Sequence, residues 1–455
     1  MKQLDLGKDK VSKLFINYSV PAVISMVVIS LYIIVDGIFV SRGVGPDGLA
    51  AVNIALPFIQ ALNSIIIMIT IGGGVLTAIK LGENNEKEAS RRFSFTVMIA
   101  VIFIIITSLI SIIFLDTLVQ LLGADESLIH LVKEYLVIML SCNLLFQLSP
   151  IMENFIRIDG RPSFCMVVSI IGTIINIVLD YILVIKLNMG LTGAAIATCV
   201  GAGLSGIAMM TYFFTKKANL KFTKPAGNFR ILGKMLYNGC SEFLTEISSS
   251  IVLLIFNIVI MKRMGPMGVS AISIVLYITT LIIMILFGIS QSLQPIVSYN
   301  LGAGQVDRAK KGLKLCLITA QSISMISMVI VFIFSEPLVG IFAKGNKELI
   351  DMGVWMSRLY ITSYIFIGFN ITSSAFFTAI EQPLMSAVIS LSRSLVLVII
   401  GLIILPRIIG DSGIFVSNTF AEVGTFFVSI YYLKKYFYKK IDGCSKNKII
   451  APINQ

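Results

Sequence analysis

Apolar residues along this chain come in long unbroken blocks rather than in short alternating patches. Gly48–Ile79 runs for 32 residues without a charge, Phe93–Leu115 for 23 and Met264–Val306 for 43. A bilayer core takes about 20 apolar residues per helix, so the last block holds more than one crossing or a long bent helix. Charged or Gly/Pro-containing breaks divide the chain into twelve candidate helices. They lie near 12–40, 48–80, 89–115, 128–156, 163–186, 191–215, 229–262, 268–300, 307–334, 348–379, 384–404 and 412–437. The pattern predicts an all-α polytopic membrane protein.

Composition sharpens this. Of 455 residues, 56% are hydrophobic and 13% charged, about half the charge of an ordinary soluble domain. The first apolar run continues past Val40 with no small-residue cleavage site, so it reads as a retained helix rather than a signal peptide. The net charge of +12 sits in loops beside the apolar runs, which points to the inner leaflet and not to nucleic acid. The ends on the side of the N-terminus carry 26 Lys and Arg, the opposite loops 7. The positive-inside rule then puts both termini in the cytoplasm of a multi-pass cell-membrane protein, and an even number of crossings agrees. Six cysteines without CxxC spacing read as reduced packing thiols, and a single histidine, His130, argues against a zinc site. No paired His, HExxH, Ser–His dyad or DDxxD-like cluster points to an enzyme, and no cofactor is expected.

The two halves match at a nearly constant offset of 220, which becomes 221 at Arg161-Pro162 and Asp180. Gly45-Pro46-Asp47-Gly48 with Ala51 returns as Gly265-Pro266-Met267-Gly268 with Ala271, and Leu81-Gly82 with Ala89 as Leu301-Gly302 with Ala309. Arg161-Pro162 returns as Gln382-Pro383 and Gly193 as Gly413. Two six-helix units of the same orientation are the parallel-repeat plan of many secondary transporters, with substrate between halves that rock. The expected divisions are an N-terminal lobe at 1–215, a cytoplasmic linker at 216–234, a C-terminal lobe at 235–437 and a cytoplasmic tail at 438–455.

The buried acids break this symmetry: Asp36 faces Phe256, Asp180 faces Gly401 and Glu246 faces Met26. An acid inside a spanning segment costs at least a few kcal/mol and is a functional hypothesis by default. Asp36, Asp180 and Thr198 lie six or seven residues from the outer ends of their helices, roughly 9–10 Å deep at ~1.5 Å per residue. Asn176 is one turn from Asp180. Two carboxylates, an amide oxygen and a hydroxyl at one depth suit a proton or a bare Na⁺. Glu153, four residues before Arg157, reads as one half of a solvated pair. Glu242 and Glu246 lie one turn apart on the seventh helix, and Glu246 is the deeper. Arg393 and Glu422, both near mid-depth, are expected to form a structural ion pair. Pro21 and Pro295 permit bends.

These residues resemble a known family. The Gly45-Pro46-x-Gly48-x-x-Ala51 loop, Arg157-x-x-Gly160-x-Pro162, and Gln291-x-x-Gln294-Pro295 ending in Asn300-x-Gly302-Ala303-Gly304 are similar to the MATE (multidrug and toxic-compound extrusion) transporters, nearest the MepA-like and DinF-like bacterial branches, over about residues 10–437. The resemblance implies a V-shaped pair of six-helix lobes exporting lipophilic organic cations in exchange for H⁺ or Na⁺. It assigns cation coupling to Asp36, Asn176, Asp180 and Thr198, and the helix bend to Pro21, fifteen residues before Asp36. Glu246, Glu242, Glu153, Gln291 and Gln294 are candidates for substrate binding or secondary coupling. NorM-type relatives pair acids of the seventh and tenth helices, but the tenth here has only Glu348 and Asp351 at its outer end. The expected partners are the bilayer and the exported cations, with the protein a monomer. Export of an endogenous metabolite, or flipping of a lipid intermediate, are the alternatives; for the flippase, the mainly acidic buried charge is the wrong sign for a pyrophosphate.

Overall fold

The computed structural model describes residues 4–436 apart from 127, 226 and 344–345. The expected tail at 438–455, with Cys444, lies outside the described residues. Twelve membrane-length spans appear among those described. They are α1 (Val11–Gly43), α2 (Pro46–Gly82), α3 (Glu86–Ile113), α4 (Ile129–Ser141 and Asn143–Ile158, bent by 52° between them), α5 (Pro162–Lys186) and α6 (Gly190–Tyr212). In the second half, α7 runs from Phe229 to a break at Gly265, and α8 from there to Gly302. They are followed by α9 (Val306–Ile333), α10 (Lys347–Ala379), α11 (Pro383–Ile409) and α12 (Ser412–Tyr436). Ile102, Ile105, Ile106 and Leu109 on α3, and Ile326, Val329 and Ile330 on α9, are exposed, as side chains solvated by lipid should be.

Backbone conformation repeats with the sequence. Eight of the ten left-handed residues described pair across the halves: Gly45 with Gly265, Asn84 with Gly304 and Gly190 with Gly410 at offset 220, and Gly160 with Glu381 at 221. Each sits at a turn where the chain reverses between spans, and a positive φ suits the Gly or Asn found at all of them except Glu381. Short helices Leu115–Leu121 and Ser335–Ala343 also correspond. So do the break of α4 at Cys142 and the 3₁₀ turn Ile361–Ser363 within α10. The sequence pattern anticipated neither the short helices nor the two interruptions.

The lobes meet at the face that carries the N-terminus. A Cβ on Gly82 of α2 would lie 2.0 Å from the Tyr299 carbonyl oxygen of α8, and one on Gly302 of α8 would lie 2.1 Å from the Ile79 carbonyl oxygen of α2. These are repeat mates in reciprocal contact, since 79 and 82 become 299 and 302. Gly72 against Met235, and Gly239 against Met68, bring α2 and α7 equally close. Packing crosses between lobes here too. Leu6, Val11, Leu14, Phe15 and Tyr18 share a core with Leu286, Leu313 and Cys316 of the C-terminal lobe. Met235 of α7 is buried with Phe93, Phe155 and Phe213 of the N-terminal lobe.

Candidate ion site in the N-terminal lobe

Small residues set the spacing around the deep acids. A Cβ on Gly201 of α6 would lie 2.7 Å from Asn176 Cβ on α5, and one on Gly43 would lie 2.3 Å from Val184 Cγ1. Such close approach replaces the hydrophobic drive that helices lack inside lipid. It places Asp36 of α1 beside Asp180 and Asn176 of α5, with Thr198 of α6 adjoining. Asp180 is the last residue before a π-helical stretch, Tyr181–Lys186, a local widening often found at functional sites.

The two carboxyl groups lie within electrostatic reach of each other, and Asn176 within reach of Asp180. Two ionised carboxylates are both acceptors, however, and cannot satisfy one another. Asp36 Oδ1, both oxygens of Asp180 and both amide atoms of Asn176 are shut from solvent without a hydrogen-bond partner among the described residues. Native interiors leave few such atoms, and each one needs an explanation such as a water or an ion. Four of the five are oxygens, and around two acids they make a set of unused ligands suited to a hard cation, or of acceptors for protons. Tyr32 Oη is 3.3 Å from Thr198 Oγ1. Tyr32 and, from α4, Tyr135 lie within reach of both acids. Neither tyrosine stood out in the sequence; the one signal for Tyr32 was its place one turn before Asp36.

The C-terminal lobe treats its deep charges differently. Arg393 Nε meets Glu422 Oε1 at 3.1 Å, as the expected ion pair, and Asn370 Nδ2 donates to Glu422 Oε2 at 2.7 Å. Arg393 lies in a second π-helical stretch, Ser392–Val396. Glu242 adjoins Thr378, which opens a chain of hydroxyls: Ser241 to Thr378 at 3.1 Å, Thr378 to Ser386 at 2.8 Å, Ser386 to Ser374 at 2.9 Å and Ser374 to Ser390 at 2.8 Å. Glu246 is exposed on the same helix.

The remaining candidates sit at the seam between lobes. Arg157 hydrogen-bonds Glu153, its neighbour one turn back, in a largely buried pair rather than the solvated one expected, because Arg157 reaches across the seam to Gln291 of α8. Gln294 Nε2 donates to the Ile71 carbonyl oxygen of α2 at 3.3 Å. Both glutamines therefore join the lobes. Pro21 lies inside an uninterrupted α1, buried.

Comparison with known proteins agrees with this architecture. The MatE family model matches residues 21–182 and 243–404, one stretch in each half. The multidrug export protein MepA of Staphylococcus saprophyticus is 24% identical over 419 residues, covering 91% of this chain and 92% of its own. That of Staphylococcus haemolyticus is 21% identical over 426 residues, 93% of each. A solved MATE structure in complex with MaL6 superposes with a TM-score of 0.91 at 21% identity, over 98% of this chain and all of that one. The outward-facing conformation of a multidrug resistance MATE family transporter of the MOP superfamily also gives 0.91 at 21% identity, over 98% and 99%.

Proposed function

Since the chain belongs to the MatE family, we propose that it is an antiporter that exports lipophilic organic cations in exchange for H⁺ or Na⁺ bound between Asp36 and Asp180. The observation that carries the coupling site is the group of five buried polar atoms at those two acids and Asn176 with no hydrogen-bond partner among the described residues. Like charges in a dry pocket repel, and an incoming cation relieves that repulsion. An organic cation drawn to the ionised N-terminal lobe from the cytoplasm or inner leaflet is released when an ion from outside neutralises the same acids. Each ligand drives this exchange only through its different affinity for the two conformations. The face carrying the termini is the cytoplasmic one, by the cation bias of its loops, so the contacts described above close the cytoplasmic end. Pro21 lets α1 bend as the ion arrives. The protein works in the cell membrane, as a monomer.

Ethidium efflux from proteoliposomes, driven separately by a pH gradient and by a Na⁺ gradient, tests this and identifies the ion. Asp36→Asn should leave insertion and helical content intact and abolish ion-driven efflux. Full ion-driven efflux by that variant refutes the site.

A further inference from the structure

We infer that residues 4–9 form a releasable latch that holds the two lobes together at the N-terminal face, with Arg308 as its catch. The inference rests on the rocking reading above, because a latch matters only if the lobes part there. The segment leaves α1, which belongs to the N-terminal lobe, and crosses onto the other lobe. Arg308 Nη2 of α9 donates to the Leu6 carbonyl oxygen at 2.9 Å and to the Asp9 carbonyl oxygen at 2.7 Å. Asn300 Nδ2 of α8 adds a bond to Leu6 O at 3.2 Å and is oriented by Arg308 Nε, which donates to Asn300 Oδ1 at 2.8 Å. The Leu6 side chain is buried in the C-terminal core. At its far end, Leu4 N donates to the Gly160 carbonyl oxygen at 3.1 Å, back on the α4–α5 turn of the N-terminal lobe. The segment thus spans the seam from one lobe to the other and back.

A second crossing clarifies the role. The stretch before α7 is also tied to α3, the repeat mate of α9, through its backbone N–H groups. Lys221 N donates to Ser90 Oγ at 3.2 Å and Thr223 N to Ser94 Oγ at 2.9 Å, while Asp159 takes Asn219 N and Leu220 N at 3.1 Å each. Each half therefore begins with a strap docked on the opposite lobe. The second strap is covalently continuous with α6 and α7 at its two ends, so it cannot leave. The first is joined to α1 at one end and held across the seam by the hydrogen bonds above, which break as the faces separate. Hydrogen bonds to a charged donor are stronger than neutral ones, which makes Arg308 the contact whose loss matters most.

The test uses spin labels on unnatural amino acids at Lys216 and Lys311, exposed positions on the two lobes at this face, in the full-length protein in lipid. Arg308→Gln, and separately removal of residues 2–9, should raise the population with the labels far apart by ~tenfold or more. Arg308→Lys keeps the charge but loses the planar fork that holds the carbonyls through Nη2 and Asn300 Oδ1 through Nε at once, and should fall between. Distances in all three variants indistinguishable from wild type overturn the latch. A wild type whose labels never separate under any ion or ethidium gradient overturns the rocking reading itself.

Discussion

The reciprocal glycine contact between α2 and α8 makes a quantitative prediction about the closed face. In Gly82→Ala the new methyl would stand 2.0 Å from the Tyr299 carbonyl oxygen, where ordinary contact begins at 3.4 Å. The neighbour is backbone on a packed helix, so the lobes must move apart by about 1.4 Å or the helices distort. Gly302→Ala meets the Ile79 carbonyl oxygen at 2.1 Å and should require almost the same movement. Overpacking of this kind costs about 1–3 kcal/mol, and 2 kcal/mol shifts a two-state equilibrium by ~30-fold. Each alanine should therefore raise the separated population by ~30-fold, measured with the label pair at Lys216 and Lys311. Because one outward movement relieves both clashes, the double variant should cost less than the sum of the singles. A distance distribution unchanged in either single variant would refute the reasoning, as would fully additive effects in the double.

Two further predictions concern charges outside the coupling site. Asp159, in the α4–α5 turn, is buried, and this desolvation lifts its carboxyl from 3.8 to about 6 despite bonds from Tyr212, Leu220 and Asn219. A group raised on folding adds stability that is complete below pH ~3.8 and is lost as pH climbs through ~6, up to about 3 kcal/mol in all. The apparent melting temperature should fall across that window in wild type and fall less in Asp159→Asn; equal slopes would show that Asp159 is not the group responsible. In the C-terminal lobe, Glu422→Gln should cost about 3–5 kcal/mol by stranding Arg393, whereas Glu422→Gln combined with Arg393→Gln should recover most of it. Thermal unfolding in detergent reads the cost. Ion-driven ethidium efflux, measured alongside, should survive in the double variant if the pair is structural.

Several features were readable from the chain alone because they depend on local order. A spanning helix is an uninterrupted apolar stretch, so twelve could be counted. Turn residues recur at offset 220, so the repeat could be aligned before any contact was known. Distance from a helix end gives depth, and depth grouped Asp36, Asn176, Asp180 and Thr198. Rotation about each helix axis leaves no such trace in so apolar a sequence, where nearly every face can meet either lipid or another helix. Which carbonyl Gly82 touches, and that Gln291 and Gln294 bridge the lobes, were decided only when the spans packed. Packing also brought Tyr32 and Tyr135 to the acids and left the carboxyl groups of Asp36 and Asp180 facing each other unsatisfied. It likewise set the bend at Cys142 and the π-helical stretches after Asp180 and around Arg393, because those interruptions answer to neighbouring helices. Local sequence determined what crosses the membrane and at what depth its charges lie; tertiary contact alone decided which of those charges meet.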